Sequence, residues 1–219
     1  MNHSDAKNNE CRLYLIRHGA TANNTANPPL LQGNCIDPGI SEIGSRQAEQ
    51  AADLLSGLPL AAVYASPLVR AQETARPIAA RHQLQVQTVA EIAEVDIGAW
   101  EGRSWDDISA ADPEAYAQFM TRPDLHGYVG GENLTQVRDR VLPALTQLAE
   151  KHRGQTIAVV GHNVVNRCLL ATMLKIPLHA ARDLSQKNGG VNVMRYRNDW
   201  KVVTFNSIFH LSTSQATPS

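Results

Sequence analysis

Cysteine is scarce in this chain and what there is does not pair: Cys11, Cys35 and Cys168 are odd in number, widely separated and form no C-x-x-C. That spacing speaks against a disulfide framework and against a cysteine-bound zinc, and nothing else in the sequence calls for a metal or a cofactor. Net charge is nearly absent as well, at -1 from 20 Lys and Arg against 21 Asp and Glu. Without a broad basic face the chain has no footprint for nucleic acid or for an acidic membrane surface, so any anion site must be local. Long apolar runs are missing, and residues 1–10 are polar with no signal-peptide core, so a cytoplasmic protein is expected. Internal repeats and domain linkers are missing too, and 11 prolines and 14 glycines mark no long disordered stretch. What remains is 219 residues, 43% of them hydrophobic, enough for one substantial core. The expected layout is a polar tail at 1–10, a single domain at 11–211 and a short tail at 212–219. The apolar helix faces show no seam, so an oligomer is possible but has no support in the sequence.

Strand and helix patterns alternate along the domain. A strand over 11–17 gives way to a polar loop from Thr21 to Gly39, then Ser41 caps a helix from Glu42 to about Leu55 that Gly44 weakens. A short apolar strand at 61–65 leads through Ser66-Pro67 into a helix ending near Arg81, and residues 84–89 alternate as a half-buried strand should. Between Val95 and Gly131 the pattern dissolves into Gly, Trp, Asp and Pro around one helix near 113–120, which reads as a lid-like excursion. A helix at 133–151, a buried strand at 156–160, a helix at 164–174 and a hairpin of 191–196 with 200–205 complete the chain. This alternation predicts a three-layer α/β/α domain with a mainly parallel sheet.

Within that frame Leu15-Ile16-Arg17-His18-Gly19 stands out, because it delivers an arginine and a histidine at the carboxyl end of the first strand. Ligands of open α/β sheets bind at that edge. The arginine offers a planar fork for phosphate oxygens, the histidine a nucleophile, base or ligand, and Gly19 room for a sharp turn and a close substrate.

Four later segments supply partners, and together they resemble the histidine phosphatase superfamily, also called phosphoglycerate mutase-like, over nearly the whole chain. Arg17-His18-Gly19-Ala20-Thr21 with Asn24 is similar to the family signature. Gln32-Gly33, Asp37, Ile40-Ser41, Gly44 and Gln47-Ala48 are similar to its next block. Ser66-Pro67-Leu68 with Arg70-Ala71 and Thr74-Ala75 matches the block of the second phosphate-binding arginine. Glu94 with Gly98 and Trp100-Glu101-Gly102 matches the block of the acid, Gly131-Glu132 with Arg140 a further one, and Val159-Val160-Gly161-His162 the segment of the second histidine. Two positions depart from the pattern: Ala20 replaces a larger polar residue expected at the pocket mouth, and Asn163 replaces a glycine.

The resemblance implies a metal-independent phosphomonoesterase of the histidine acid type, acting on a small phosphorylated metabolite such as a sugar phosphate or phosphoglycerate-type ester. Its catalytic set would be Arg17, His18, Arg70, Glu94 and His162. Arg17, Asn24, Gln32, Gly33, Arg70, His162 and Asn163 would bind substrate. Arg17 and Arg70 would grip the non-bridging oxygens, with His162 and Asn24 as further donors. His18 would attack phosphorus to give a phosphohistidine, and Glu94 would protonate the leaving oxygen and later activate water. An attacking imidazole needs one bare nitrogen, so its other nitrogen must donate to a fixed acceptor, which the sequence does not name. The alternatives are a cofactor-dependent phosphoglycerate mutase and a catalytically silent binding module on the same fold. A silent module has no use for all five catalytic side chains. Arg103, Arg122, Arg138 and His126 read as surface or lid residues, Trp100 and Trp105 as packing, and Asn206 and His210 as anchors of the last strand.

Overall fold

The computed structural model describes residues 9–211; apart from Asn9 and Glu10, the two expected tails lie outside the described residues. Six strands form one sheet: β1 (Cys11–Arg17), β2 (Leu60–Ala65), β3 (Val86–Thr88), β4 (Thr156–Gly161), β5 (Val191–Tyr196) and β6 (Trp200–Ser207), in the order β3-β2-β4-β1-β5-β6. β1, β2, β3 and β4 pair in parallel, β5 runs antiparallel to both β1 and β6, and β6 therefore shares the direction of the first four. Seven α-helices accompany them: α1 (Ala22–Thr25), α2 (Glu42–Leu55), α3 (Val69–Arg81), α4 (Trp105–Ala111), α5 (Pro113–Thr121), α6 (Leu134–Lys151) and α7 (Asn163–Met173).

The three layers follow from the two-residue period of the central strands. In β4, Ile157 and Val159 point to one face and Ala158 and Val160 to the other, and β1 divides in the same way between Leu13 and Leu15 on one side and Ile16 on the other. Both faces are therefore apolar and both must be covered. Ala51, Ala52 and Leu55 of α2 with Ala71, Ala75 and Ile78 of α3 cover the face of Ile16, Ala158 and Val160. Val137, Val141 and Leu145 of α6 with Val165 and Leu169 of α7 cover the face of Leu13, Leu15, Ile157 and Val159. Each of the larger aliphatic side chains contributes roughly 1.5–3 kcal/mol by leaving water. Among the described residues no helix is long and apolar enough to cross a membrane.

Several elements differ from expectation. The strand expected at 84–89 pairs only over 86–88, because the Leu84 N–H turns back to the Ala79 carbonyl and closes the end of α3 (3.0 Å). α3 itself starts at Val69, after Ser66-Pro67. The excursion holds two helices instead of one. Ser104 caps α4 reciprocally with Asp107 and Asp112 caps α5, while Pro113, lacking an N–H, starts the new helix and separates the two. The buried Trp100 fastens this excursion to the core through edge-on contacts with Phe119 (5.2 Å between ring centres), Tyr128 (5.5 Å) and Trp105 (6.0 Å).

Candidate active site

Register brings the two histidines together. β1 and β4 are parallel neighbours with Arg17 opposite Gly161, so the next residue of each strand, His18 and His162, leaves the sheet at the same edge. The His18 N–H donates to the Gly161 carbonyl (3.1 Å), and the two rings stand 5.2 Å apart, centre to centre. Gly19 then lets the chain pass directly against α2. A Cβ there would lie 2.9 Å from Gly44 Cα, so its missing side chain makes room for Gly44 and not for substrate. Gly44, read from the sequence as a weak point, is the matching half of that contact. Ala20 is fully buried, with its N–H on Gln47 Oε1 (2.8 Å), and lies away from the pocket mouth where the sequence placed it.

The acceptor that fixes the His18 ring is its neighbour's carbonyl. Nδ1 lies 2.8 Å from the Gly19 oxygen, which can only accept, so Nδ1 carries the proton and Nε2 is bare. Burial, and then the charges of Arg17 and Arg70, hold the His18 pKa well below 6.5. His162 is lowered in the same direction by burial, by His18 and by the same arginines. Both rings are neutral at pH 7.

The arginines approach from different elements. Arg17 ends β1 and donates through Nη1 to the Gln186 carbonyl (2.6 Å); burial and the nearby Arg167 bring its pKa down to about 10. Arg70, fully buried in the first turn of α3, donates through Nη2 to the Gly33 carbonyl (2.6 Å) and pairs through Nη1 with Asp37 (3.0 Å). Among the described residues, Arg17 Nε, Arg70 Nε and both ring nitrogens of His162 are buried without a hydrogen-bond partner. Orphaned polar atoms are rare in a folded protein, and a group of them within electrostatic reach of one histidine is the signature of an anion site.

Glu94 faces this group from the start of the excursion. Its Oε1 accepts the N–H groups of Val95 (3.0 Å) and Val165 (3.3 Å), and Oε2 that of Val164 (3.2 Å), so the first turn of α7 orients it. Arg140 holds the preceding backbone, donating to the carbonyls of Glu91 (2.5 Å), Ala93 (2.9 Å) and Glu94 (3.2 Å) while pairing with Glu132 (2.7 Å). Glu132 in turn accepts the Asp96 N–H (2.9 Å).

These groups open on a cavity of about 570 Å³. Arg17, His18, Asn24, Gln32, Glu94 and Asn163 line it, while Gly33, Arg70 and His162 stand behind the wall. Asn24 Oδ1 accepts from Asn188 and Thr21. Gln32 is committed at both ends, to Thr21 and to the Ile36 carbonyl. Gly33 is held by Glu101 and Arg70. Asn163 starts α7 without the positive φ of a glycine, and its Oδ1 is buried without a partner. Arg103, Arg122, Arg138 and His126 do not line the cavity, as their surface reading implied.

Sequence reasoning missed the opposite wall. Residues 185–188 and Arg167 line the cavity, and the loop is stitched to β1 by Asn188 Nδ2 donating to the His18 carbonyl (3.0 Å). Asn206 and His210 hold this loop more than the last strand, through the Lys187 N–H (2.8 Å) and the Gly189 carbonyl (3.0 Å). For Arg167 the signal was its position one turn after Asn163, on the same helix face.

A mainly parallel sheet with paired histidines, two arginines and an acid at its carboxyl edge defines a phosphate-ester site on an α/β scaffold. The chain belongs to the histidine phosphatase superfamily (branch 1), whose model matches residues 13–208. It is 34% identical over 206 residues to a metal-independent phosphoserine phosphatase of Arabidopsis thaliana, covering 92% of this chain and 83% of that one. It is 31% identical over 192 residues to phosphoserine phosphatase 1 of Hydrogenobacter thermophilus, covering 88% and 90%. The crystal structure of a phosphoserine phosphatase from Entamoeba histolytica, in complex with 3-phosphoglyceric acid, superposes with a TM-score of 0.82 at 25% identity, covering 92% of this chain and 99% of that one. The chain is thus a histidine-type phosphatase of small phosphate esters.

Proposed function

We propose that the chain hydrolyses its ester through a phosphohistidine on His18. The observation that carries this reading is the bare, neutral Nε2 of His18, fixed by the Nδ1 bond to Gly19, beside the orphaned nitrogens of Arg17, Arg70 and His162. A phosphate dianion in the cavity against Arg17 presents phosphorus to Nε2, while Arg70 and His162, set back from the lining, add the charge of one and the buried donor of the other behind it. In the first step the Nε2–P bond forms, the P–O bond to the alcohol breaks, and Glu94 gives that oxygen its proton. In the second, Glu94 takes a proton from water, which attacks phosphorus and frees His18 and inorganic phosphate. The arginines supply the positive charge that a metal provides elsewhere, so no divalent ion takes part. Asn24 contributes its amide nitrogen to the cavity, and Gln32, Gly33 and Asn163 shape the wall.

Residues 11–211 act as one unit in this reading, with the excursion at 95–131 as a partial lid. Two short helices leave water access to the phosphohistidine, which favours hydrolysis over transfer to a second hydroxyl. The substrate is a small metabolite, with no nucleic acid or membrane involved. Three unpaired thiols suit a reducing cytoplasm; burial pushes Cys11 up to about 11 and Cys168 upward as well.

Trapping tests the mechanism. With EDTA present, incubation with a labelled ester and rapid quenching is expected to leave an acid-labile, base-stable adduct on His18 and to release free phosphate. Label on a serine or aspartate, loss of turnover on chelation, or near-normal turnover by His18→Ala would overturn it.

A further inference from the structure

We propose that Arg167 anchors a carboxylate on the leaving alcohol, making the preferred substrates phosphate monoesters of hydroxy acids. The inference rests on the phosphomonoesterase reading above and adds the chemical class of the alcohol.

Arg167 lines the cavity from α7, one turn beyond Asn163. Its Nε donates to the Leu184 carbonyl (2.7 Å), which fixes the plane of the guanidinium. It is half-buried, yet among the described residues no carboxylate forms an ion pair with it. Of the other arginines around the site, Arg70 is neutralised by Asp37 and Arg140 by Glu132, while Arg17, also without an ion pair among the described residues, serves the phosphate in the reading above. Arg167 instead crowds Arg17, whose pKa it helps to lower. Glu94 and Asp183 favour its charge through their fields but neither forms an ion pair with it, and a part-buried cation without a carboxylate in contact is costly unless an anion arrives from outside.

The phosphoryl group does not need it. Arg17, Arg70 and His162 already provide a clamp beside His18, and a cavity of about 570 Å³ has room for far more than a phosphate. The other charged groups on the cavity wall are Lys187, which adds positive charge from the facing loop, Glu94, which serves as the acid, and Asp106, exposed on the first turn of α4. The carboxylates on the cavity wall are therefore Glu94 and Asp106, and among the described residues neither forms an ion pair with Arg167. A neutral alcohol would leave Arg167 with no carboxylate in contact; a carboxylate matches its planar fork with two parallel bonds.

Paired esters test this. 3-Phosphoglycerate and glycerol 3-phosphate differ in a carboxylate against a hydroxymethyl group, and O-phosphoserine and phosphoethanolamine in a carboxylate against hydrogen. The native protein is expected to favour the carboxylate ester of each pair by about 10- to 100-fold in kcat/KM. Arg167→Gln is expected to bring both ratios close to one, mainly through KM of the carboxylate ester, with Arg167→Lys in between. A purely structural role in holding the 184–188 loop would lower both members of a pair equally and leave the ratios intact. Native ratios near one, or ratios that survive in folded Arg167→Gln, would overturn the proposal while leaving the phosphatase reading in place. No phosphate from any of the four esters or from p-nitrophenyl phosphate would instead sink that reading, and this one with it. If Arg167→Gln does not fold, the native ratios and those of Arg167→Lys decide.

Discussion

Replacing Glu94 with Gln separates proton donation from everything else this side chain does. The exchange keeps size and shape, and the amide oxygen can retain the two bonds that Oε1 accepts from Val95 and Val165. The amide nitrogen, in the place of Oε2, turns hydrogens toward the Val164 N–H and orphans one donor at the start of α7. An orphaned buried donor costs about 1–3 kcal/mol. Stability is thus expected to fall by about 1–3 kcal/mol, lowering Tm by roughly 2–12 °C in a chain of this size. The kinetic effect depends on the leaving group. An alkoxide cannot depart unprotonated, so kcat/KM for a glycerol-type ester is expected to drop by about 10²–10⁴, the usual worth of a general acid. Nitrophenolate leaves without help, and its kcat/KM is expected to change by less than about tenfold. The comparison must use kcat/KM, because kcat includes the breakdown of the phosphohistidine, where Glu94 acts as base for both esters. Equal losses in kcat/KM on the two esters, in a variant still folded at the assay temperature, would refute the proton-donor role and leave Glu94 a positioning residue.

Buried neutral histidines tie stability to pH. The folded pKa values of His18 and His162 lie below the unfolded value near 6.5, so the unfolded chain binds the extra protons; this stability is full above about pH 6.5 and is lost as pH falls toward the folded values. Urea midpoints are expected to fall between pH 7.5 and pH 5, and a rise over that interval would contradict the neutral pair. Arg140→Met removes the bonds to three carbonyls and strands Glu132; since the pair is part-exposed, a loss of about 2–3 kcal/mol in denaturant titration is expected, below the cost of breaking a fully buried pair. Because the same bonds hold the backbone ahead of Glu94, the loss in kcat/KM is expected to be larger on an alkyl ester than on nitrophenyl phosphate. A uniform loss on both would make Arg140 merely structural.

Most of the scaffold was legible because its elements repeat at their own period. β1 and β4 are apolar on both faces, α2 and α6 carry caps at Ser41 and Asn133, and the two strand ends bear the histidines. α4 was not legible because its seven residues, Trp105–Ala111, include two consecutive aspartates; the reciprocal cap of Ser104 and Asp107 was the available signal. Gly19 was misjudged because a missing Cβ looks alike in sequence whether substrate or a second backbone fills the space. The loop at 185–188 on the far wall of the cavity could not be read at all. Gln186 and Asn188 reach Arg17 and His18 across separations of 169 and 170 residues, and no local pattern marks a polar loop for that task.

The residues hardest to place by pattern are also those the fold holds at a cost. Two neutral histidines, three arginines within one another's field and several orphaned nitrogens have no stabilising purpose in the free protein. They persist because stronger structure surrounds them: the register of β1 with β4, the close pass of Gly19 and Gly44, and the bonds from Asn188 to the His18 carbonyl and from the Arg17 guanidinium to Gln186. Ligand binding should then relieve what folding left unsatisfied, so the groups that destabilise the free chain are the same ones that select a dianion beside His18 and, at Arg167, a carboxylate beyond it.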